Sequence, residues 1–304
     1  VRYAAIDIGS NAVRLLIADM VEINEEISFK KNSLVRVPIR LGDDAFLDKY
    51  ISERKANDLV KSMSAFRNLM DVYKVRDYTA CATSAMREAQ NGSDIVMRIK
   101  NEANIDLEIV DGKREANIIY SSHIEKHLDS RRVYLYIDVG GGSTEVSVFA
   151  NGLLIDSNSF NIGTIRMLDN QDTEETWNEL KSFIKTLTKN YKNIQGIGTG
   201  GNINKLFKIS GEKEGVALTF AKLKALYDYL NSFSLKDRIN VLGLKEDRAD
   251  VIIPASEIYL TIMRWAGIKQ MFVPKVGLVD GLIHLLIEKN YPKVVSISER
   301  TESL

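Results

Sequence analysis

The stretch IDVGGGSTEV, residues 137–146, sets three glycines between an aspartate and a Ser-Thr-Glu run. The residues after the glycines decide its meaning. In P-loop and dinucleotide folds a glycine turn opens a helix. Here apolar alternation resumes at Val146 and Val148, passes through Asn151-Gly152 and returns as LLID. That pattern is a strand, a hairpin turn and a second strand. The chain has no G-K-[ST] after the glycines, so a Walker A loop is excluded. The glycines therefore tip a β-hairpin.

The same plan occurs earlier in the chain. AAIDIGSNAVRLLIAD (residues 4–19) and LYIDVGGGSTEVSVFA (residues 135–150) each run from an apolar strand through Asp and Gly into a small polar turn and a second apolar strand. Asp7 and Asp138 are 131 residues apart, as are Gly9 and Gly140. Matching punctuation at long period predicts two copies of one domain. The expected fold class is α/β, two duplicated domains over 1–126 and 127–304 with a cleft between them.

Helices are expected after each hairpin. KANDLVKSMSAFRNLM puts Leu59, Val60, Met63, Phe66 and Met70 on one face. NGSDIVMRIKNEA comes next, with Ser93 as the expected N-cap. DLEIVDG reads as a strand and REANIIYSSHIEKH as a helix. DTEETWNELKSFIKTLTKNY opens with a capping-box-like Asp172/Glu175 pair and buries Trp177, Leu180, Ile184, Leu187 and Tyr191. NIQGIGTGGNINKLFKI reads as strand, glycine turn and helix, and DVIIPASEIYLTIMRWAG as a buried helix kinked near Pro254.

Bulk properties narrow the function. The 304 residues carry 41 Lys+Arg and 41 Asp+Glu, so global charge gives no argument for nucleic acid or a membrane surface. A single cysteine, Cys81, excludes an internal disulfide and fits a reducing compartment. No apolar run approaches the roughly 18–20 residues of a membrane span, and YAAIDIG comes directly after the N-terminus with no signal-peptide pattern. A cytoplasmic protein is expected, without nucleic-acid or membrane partners and assembling as a homodimer. His123 and His127 are four apart, but no third ligand is evident and no metal site is expected there.

Three small-residue turns each leave a strand. They are Gly9-Ser10-Asn11, Gly140-Gly141-Gly142-Ser143-Thr144, and Gly198 to Asn202 with Gly200 and Gly201. Glycine lets backbone N–H groups approach a ligand, and successive N–H groups make a concave anion site. Three such turns suit phosphate better than a neutral ligand. Asp7 and Asp138 end the equivalent strands, where oxygen ligands beside phosphates suit Mg²⁺. Glu145 is placed to orient a water. On the residues alone, Glu115 reads first as an ordinary first-turn helix glutamate; a general base hanging into the cleft is the other reading.

These segments carry a resemblance. AAIDIGSNAVRLLIAD, ATSAMREAQN, EIVDGKREANIIY, YIDVGGGSTEVSVF, GTGGNINKL, GLKEDRADVIIPASEIYLTIM and GLVDGLI fall in the order and spacing of the exopolyphosphatase / guanosine pentaphosphate phosphohydrolase family. That family belongs to the actin–hexokinase–Hsp70 superfamily, and the resemblance spans nearly the whole chain. The resemblance implies that the two α/β domains are duplicated actin-like (ribonuclease H-like) domains with the active site in the cleft between them. It implies that Glu115 is the catalytic base, that Glu145 is the family's Glu after G-G-G-S-T, and that Arg87 lies near the transferred phosphate. The chain departs from the family at Arg114, where a second Glu is usual, at Asn202 for Thr, at Pro274-Lys275 for Ser-Asp, and at Val279-Asp280 for Arg-Glu. Longer members append a helical metal-dependent domain, which is not expected here.

The expected function is a Mg²⁺-dependent exopolyphosphatase acting on inorganic polyphosphate, with guanosine pentaphosphate as the alternative substrate. An ATP-dependent kinase relative and a non-catalytic polyphosphate or alarmone sensor are the rival classes. Lys181, Lys185, Lys189 and Lys192 read as a solvated helix face or as an extended track for a long polyanion.

Overall fold

The apolar runs flanking Gly9 become β1 (Arg2–Ile8) and β2 (Val13–Ile23) in a computed structural model that describes residues 1–23, 26–122, 129 and 131–291. They continue into β3 (Glu26–Val37), α1 (Leu41–Leu47), α2 (Glu53–Val72), β4 (Asp77–Ala82), α3 (Ser84–Glu88), α4 (Gly92–Ala103), β5 (Glu108–Ile109) and α5 (Gly112–Tyr120). The sheet order is β3-β2-β1-β4-β5. The first three strands are antiparallel, while β4 and β5 run parallel to β1. The apolar stripe of α2 is buried as its period requires, at Leu59, Val60, Met63, Phe66 and Met70.

The second copy repeats this plan. β6 (Val133–Val139), β7 (Thr144–Ala150) and β8 (Leu153–Phe160) form its antiparallel part. Asn151 and Gly152, both at positive φ (55° and 74°), make the tight turn between β7 and β8. α6 (Thr164–Leu168) and α7 (Glu174–Asn190) lead to β9 (Gln195–Thr199), parallel to β6. Then come α8 (Gly201–Ser210), β10 (Leu218–Thr219), α9 (Phe220–Asn231), α10 (Leu235–Asn240), α11 (Glu246–Ala249), α12 (Ile252–Ala266), β11 (Gln270–Phe272) and α13 (Leu278–Asn290). From its far edge this sheet runs β8-β7-β6-β9-β11, the order of the first sheet, with β10 added beyond. The duplication read from the glycine turns is thus present strand by strand. The core of this copy gathers Leu135, Ile137, Val146, Leu180, Ile184 and Ile258 between sheet and helices. Trp177 and Trp265 meet edge to face at 6.0 Å between α7 and α12.

The chain divides into two units, Val1–Ser122 with the residues from 277 onward, and His123–Val276. The boundary expected at 126/127 lies outside the described residues, as do His123 and His127. The expected second domain, 127–304, needs correction at its C-terminal end. α13 packs on β1, β2, β4 and α5, and so belongs to the first unit. α5 and α13 are equivalent helices, each placed after the last parallel strand of its copy. They touch backbone to backbone at Gly281, where an added Cβ would stand 1.8 Å from the Ile118 carbonyl oxygen.

Local details differ from expectation for local reasons. α4 begins at Gly92, so Asn91 and not Ser93 is its N-cap residue. The Asn91 side chain instead bridges the backbone N–H and C=O of Ile51 at 3.0 and 2.8 Å. Thr173, not Asp172, caps α7 and accepts from Thr176 N–H at 3.2 Å; Asp172 accepts from the Trp177 indole at 2.8 Å. Pro254 falls in the first turn of α12, where a missing N–H costs nothing, so no kink is needed. The strand expected from DLEIVDG shrinks to the two residues of β5. Among the described residues no helix is long and apolar enough to cross a membrane.

Candidate functional site

Both glycine turns are closed in the same way. Gly9 N–H donates to Ala12 C=O at 3.2 Å, and Gly140 N–H to Ser143 C=O at 2.9 Å. In each copy the segment after the third strand folds back under the turn. Gly42 N–H reaches Ser10 C=O at 2.9 Å and Arg40 N–H reaches Asn11 C=O at 3.0 Å. In the second copy Thr164 N–H reaches Gly140 C=O at 3.1 Å, Ile165 N–H reaches Gly141 C=O at 2.8 Å, and Arg166 Nε–H reaches Gly142 C=O at 2.5 Å. A peptide is planar and trans, so a C=O tied down on one side turns the next residue's N–H to the other. The N–H groups of Gly141, Gly142 and Ser143 are accordingly presented away from α6. This is the row of donors that an anion concavity needs. Ser143 and Thr144 are buried, and Thr144 Oγ1 donates to Ile162 C=O at 2.6 Å. In the first copy the buried Ser10 hydroxyl lies 2.8 Å from that of Ser84, at the start of α3.

The strand-end carboxylates differ between copies. Asp7 on β1 is paired in the ladder with Arg14 on β2, and Arg14 Nη1 donates to Asp7 Oδ2 at 2.5 Å. The equivalent ladder pair in the second copy is Asp138 with Glu145. Two carboxylates at directly opposed strand positions repel unless a cation lies near. Asp138 is half-buried; Glu145 is 3% exposed and accepts from Ser159 Oγ at 2.8 Å. Mg²⁺ is commonly held by one or two carboxylates plus substrate phosphates. The Asp138–Glu145 corner offers that donor chemistry, whereas Asp7, expected as a second metal ligand, has Arg14 as its partner. Among the described residues no three His, Cys, Asp or Glu side chains group as a metal cluster.

The third turn is built by Gly200 at φ 98°, the N-cap residue of α8. Asp138 is in register with Thr199, so its carboxylate stands beside this turn. Tyr259, buried on α12, links the two strand ends by donating to Thr199 C=O at 2.5 Å and accepting from Val139 N–H at 3.3 Å. Burial, then the nearby Asp138 carboxylate, pushes the Tyr259 phenol well up, so it stays a neutral donor. Asn202, expected to bind phosphate, is buried and accepts from Arg248 Nη1 at 2.7 Å. Arg248 lies so close to Gly201 that an added Cβ would be 2.3 Å from its Nη2.

In the first unit, Glu115 is buried on the first turns of α5, which Asp111 caps by accepting from Arg114 N–H at 2.7 Å. Arg87, expected near the transferred phosphate, donates Nη1–H to Val110 C=O at 2.7 Å and so braces the start of α5. Arg114, beside Glu115, is exposed. Asp7, Cys81 and Glu108 are in register across β1, β4 and β5. Burial, then the carboxylates of Asp7 and Glu115, pushes the Cys81 thiol well up. Asp7 and Glu115 therefore both lie within electrostatic reach of one buried point.

Sequence reasoning missed Arg14, Arg166, Arg248 and Tyr259. Arg14, Arg248 and Tyr259 lie within the family's motif segments, and alignment of the two copies would have flagged Arg14 opposite Glu145.

Comparison with known proteins agrees with this architecture. The family model described as Ppx/GppA phosphatase family matches residues 21–290. A bifunctional 3-dehydroquinate synthase/phosphatase of Fusobacterium nucleatum is 28% identical over 87% of the chain, which spans only 43% of that relative's length. Exopolyphosphatase 1 of Mycobacterium tuberculosis is 23% identical over 93% of the chain and 87% of its own length. The crystal structure of an exopolyphosphatase from Cytophaga hutchinsonii superposes with a TM-score of 0.83 at 23% identity, covering 95% of this chain and 98% of that one. With the duplicated sheet order, the paired glycine turns and a family match over most of its length, the chain belongs to the Ppx/GppA phosphatase family.

Proposed function

We propose that the chain is a phosphoanhydride hydrolase of the exopolyphosphatase type, releasing the terminal phosphate of inorganic polyphosphate. The observation that carries the proposal is the Gly140–Thr144 turn, whose carbonyls are tied from behind so that successive N–H groups face a ligand. Backbone donors fixed in advance stabilise phosphoryl oxygens without reorganising during reaction. Support comes from the family match and from relatives named exopolyphosphatase.

In this reading the glycine turns, with Ser10 and Asn11 from the first copy, hold successive phosphates, and Arg248 adds a cation over the third turn. Asp138 would hold Mg²⁺, which when bound offsets phosphate charge. Glu145 orients the attacking water. Glu115 accepts a proton from that water as its oxygen attacks the terminal phosphorus. The bridging P–O bond breaks, its electron pair leaves with the shortened chain, and orthophosphate is released. Arg87 keeps Glu115 in place by bracing α5.

Guanosine pentaphosphate is the alternative substrate. Phosphate release is measured with polyphosphate, guanosine pentaphosphate and ATP, with and without Mg²⁺. Mg²⁺-dependent release from polyphosphate above the other two is the expected result. Preference for guanosine pentaphosphate moves the substrate assignment, and tight binding without release from any of them contradicts a hydrolase.

A further inference from the structure

Both copies anchor their glycine turns with backbone N–H groups, and the second also uses a side chain. In the first, the described anchors are backbone N–H groups, those of Arg40 and Gly42. In the second, the Gly142 carbonyl is held by a side chain, the Arg166 guanidinium, at 2.5 Å. Arg166 is 4% exposed. Its own N–H also approaches Gly141 C=O at 3.3 Å. Just before it, Gly163 packs so tightly beneath the turn that an added Cβ would lie 2.4 Å from the Gly141 carbonyl oxygen. A buried guanidinium is costly unless its charge and its directed donors are used. Here one donor fixes the peptide between Gly142 and Ser143.

We infer that Arg166 is a positioning residue for phosphate binding: it fixes the Gly142–Ser143 peptide so that the Ser143 N–H faces the anion. The inference rests on the reading of residues 140–144 as a phosphate cradle. Arg166 itself touches no substrate. Because it is a side chain, one anchor can be released while the backbone anchors from Thr164 and Ile165 remain.

The test uses the full chain with Arg166→Gln, Arg166→Lys and Gly141→Val. The probe is tripolyphosphate, titrated calorimetrically without Mg²⁺, alongside KM and kcat for phosphate release from polyphosphate. Arg166→Gln is expected to raise Kd and KM at least about tenfold, the scale of one lost charge-assisted hydrogen bond. Arg166→Lys, whose ammonium can reach the same carbonyl, is expected to return to within about threefold of wild type. A folded Arg166→Gln with unchanged Kd, beside a Gly141→Val that no longer binds, overturns the inference alone. Unchanged binding in both overturns the cradle reading itself. Equal loss in Arg166→Lys and Arg166→Gln also overturns the positioning role. If Arg166→Gln does not fold, the wild-type Arg166 Nε–H resonance serves instead: it is expected to shift on saturation with tripolyphosphate, and no shift overturns the inference.

Discussion

Replacing Gly200 by alanine tests whether the third turn and Asp138 form one unit. Gly200 has φ 98° and ψ 166°, a region that is essentially glycine's alone, so an L-residue there costs about 1–3 kcal/mol. An alanine Cβ would stand 2.7 Å from Asp138 Oδ1 and 3.4 Å from Val139 O. Either the carboxylate or the turn must give way, so the cost falls on the proposed metal ligand as well as on the backbone. Gly211 is the internal control. It ends the same helix at φ 73°, and an added Cβ there meets nothing within 4 Å. Gly211→Ala should cost about 1–2 kcal/mol through backbone conformation alone. A domain of this size loses roughly 2–4 °C of Tm per kcal/mol, so both variants should melt several degrees early. Phosphate release, assayed below either transition, should separate them. Gly200→Ala should lose at least about tenfold in turnover, the scale set by even a small displacement of a positioned catalytic group, and should need more Mg²⁺. Gly211→Ala should match wild type. A Gly200→Ala variant with wild-type turnover and Mg²⁺ dependence would refute the coupling between the turn and Asp138.

Lys185 and Lys189 are exposed on α7; reversing both charges should weaken long polyphosphate and spare short chains, with the difference fading at high salt. Equal loss for both lengths would make that face part of the site or of the fold. Burial raises the Asp280 carboxyl above its ordinary value, with Lys31 partly opposing. A raised folded pKa gives stability that is full below the unfolded value, near 4, and is lost as pH rises through the folded one. The Tm of Asp280→Asn relative to wild type should therefore become more favourable from about pH 4 to pH 7, and a trend of the opposite sign contradicts the packing of α13. Cys81, buried and held up in pKa, should resist iodoacetamide in the native protein and react promptly once unfolded; rapid native alkylation would contradict the β1–β4 packing.

The hairpin reading of residues 137–150 was legible because strand alternation is a local signal and the Asn151-Gly152 turn has its own chemistry. The duplication was legible because Asp and Gly recur at one offset. From these two facts the order of the first three strands in each sheet can be deduced. The return of α13 to the first unit was not legible: its apolar face reads the same whichever sheet receives it, and its long-range packing on β1, β2, β4 and α5 decides. The anchors of the site were hidden for a related reason. Arg166 meets Gly142 across 24 residues, Arg248 meets Asn202 across 46, and Tyr259 meets Val139 across 120. No local periodicity reports such pairings. Ser93 and Asp172 differ from expectation because α4 already begins at Gly92, with Asn91 before it held on the Ile51 backbone, and because Asp172 accepts from the Trp177 indole instead of capping α7. Arg14 shows what a copy-against-copy reading can add, since its ladder position holds Glu145 in the other half.

The central claim is that the buried Glu115 carboxylate takes the proton from the attacking water. Glu115→Gln keeps the side chain's size and removes the proton acceptor. The decisive measurement is its turnover of polyphosphate with Mg²⁺, with tripolyphosphate binding measured in parallel. Turnover should fall by about 10²–10⁴-fold, the usual cost of a lost general base, while binding holds or tightens because a negative charge beside the phosphates is gone. Retention of more than about a tenth of wild-type turnover, well outside that range, would contradict the account and move the base elsewhere, with Glu145 the next residue to test.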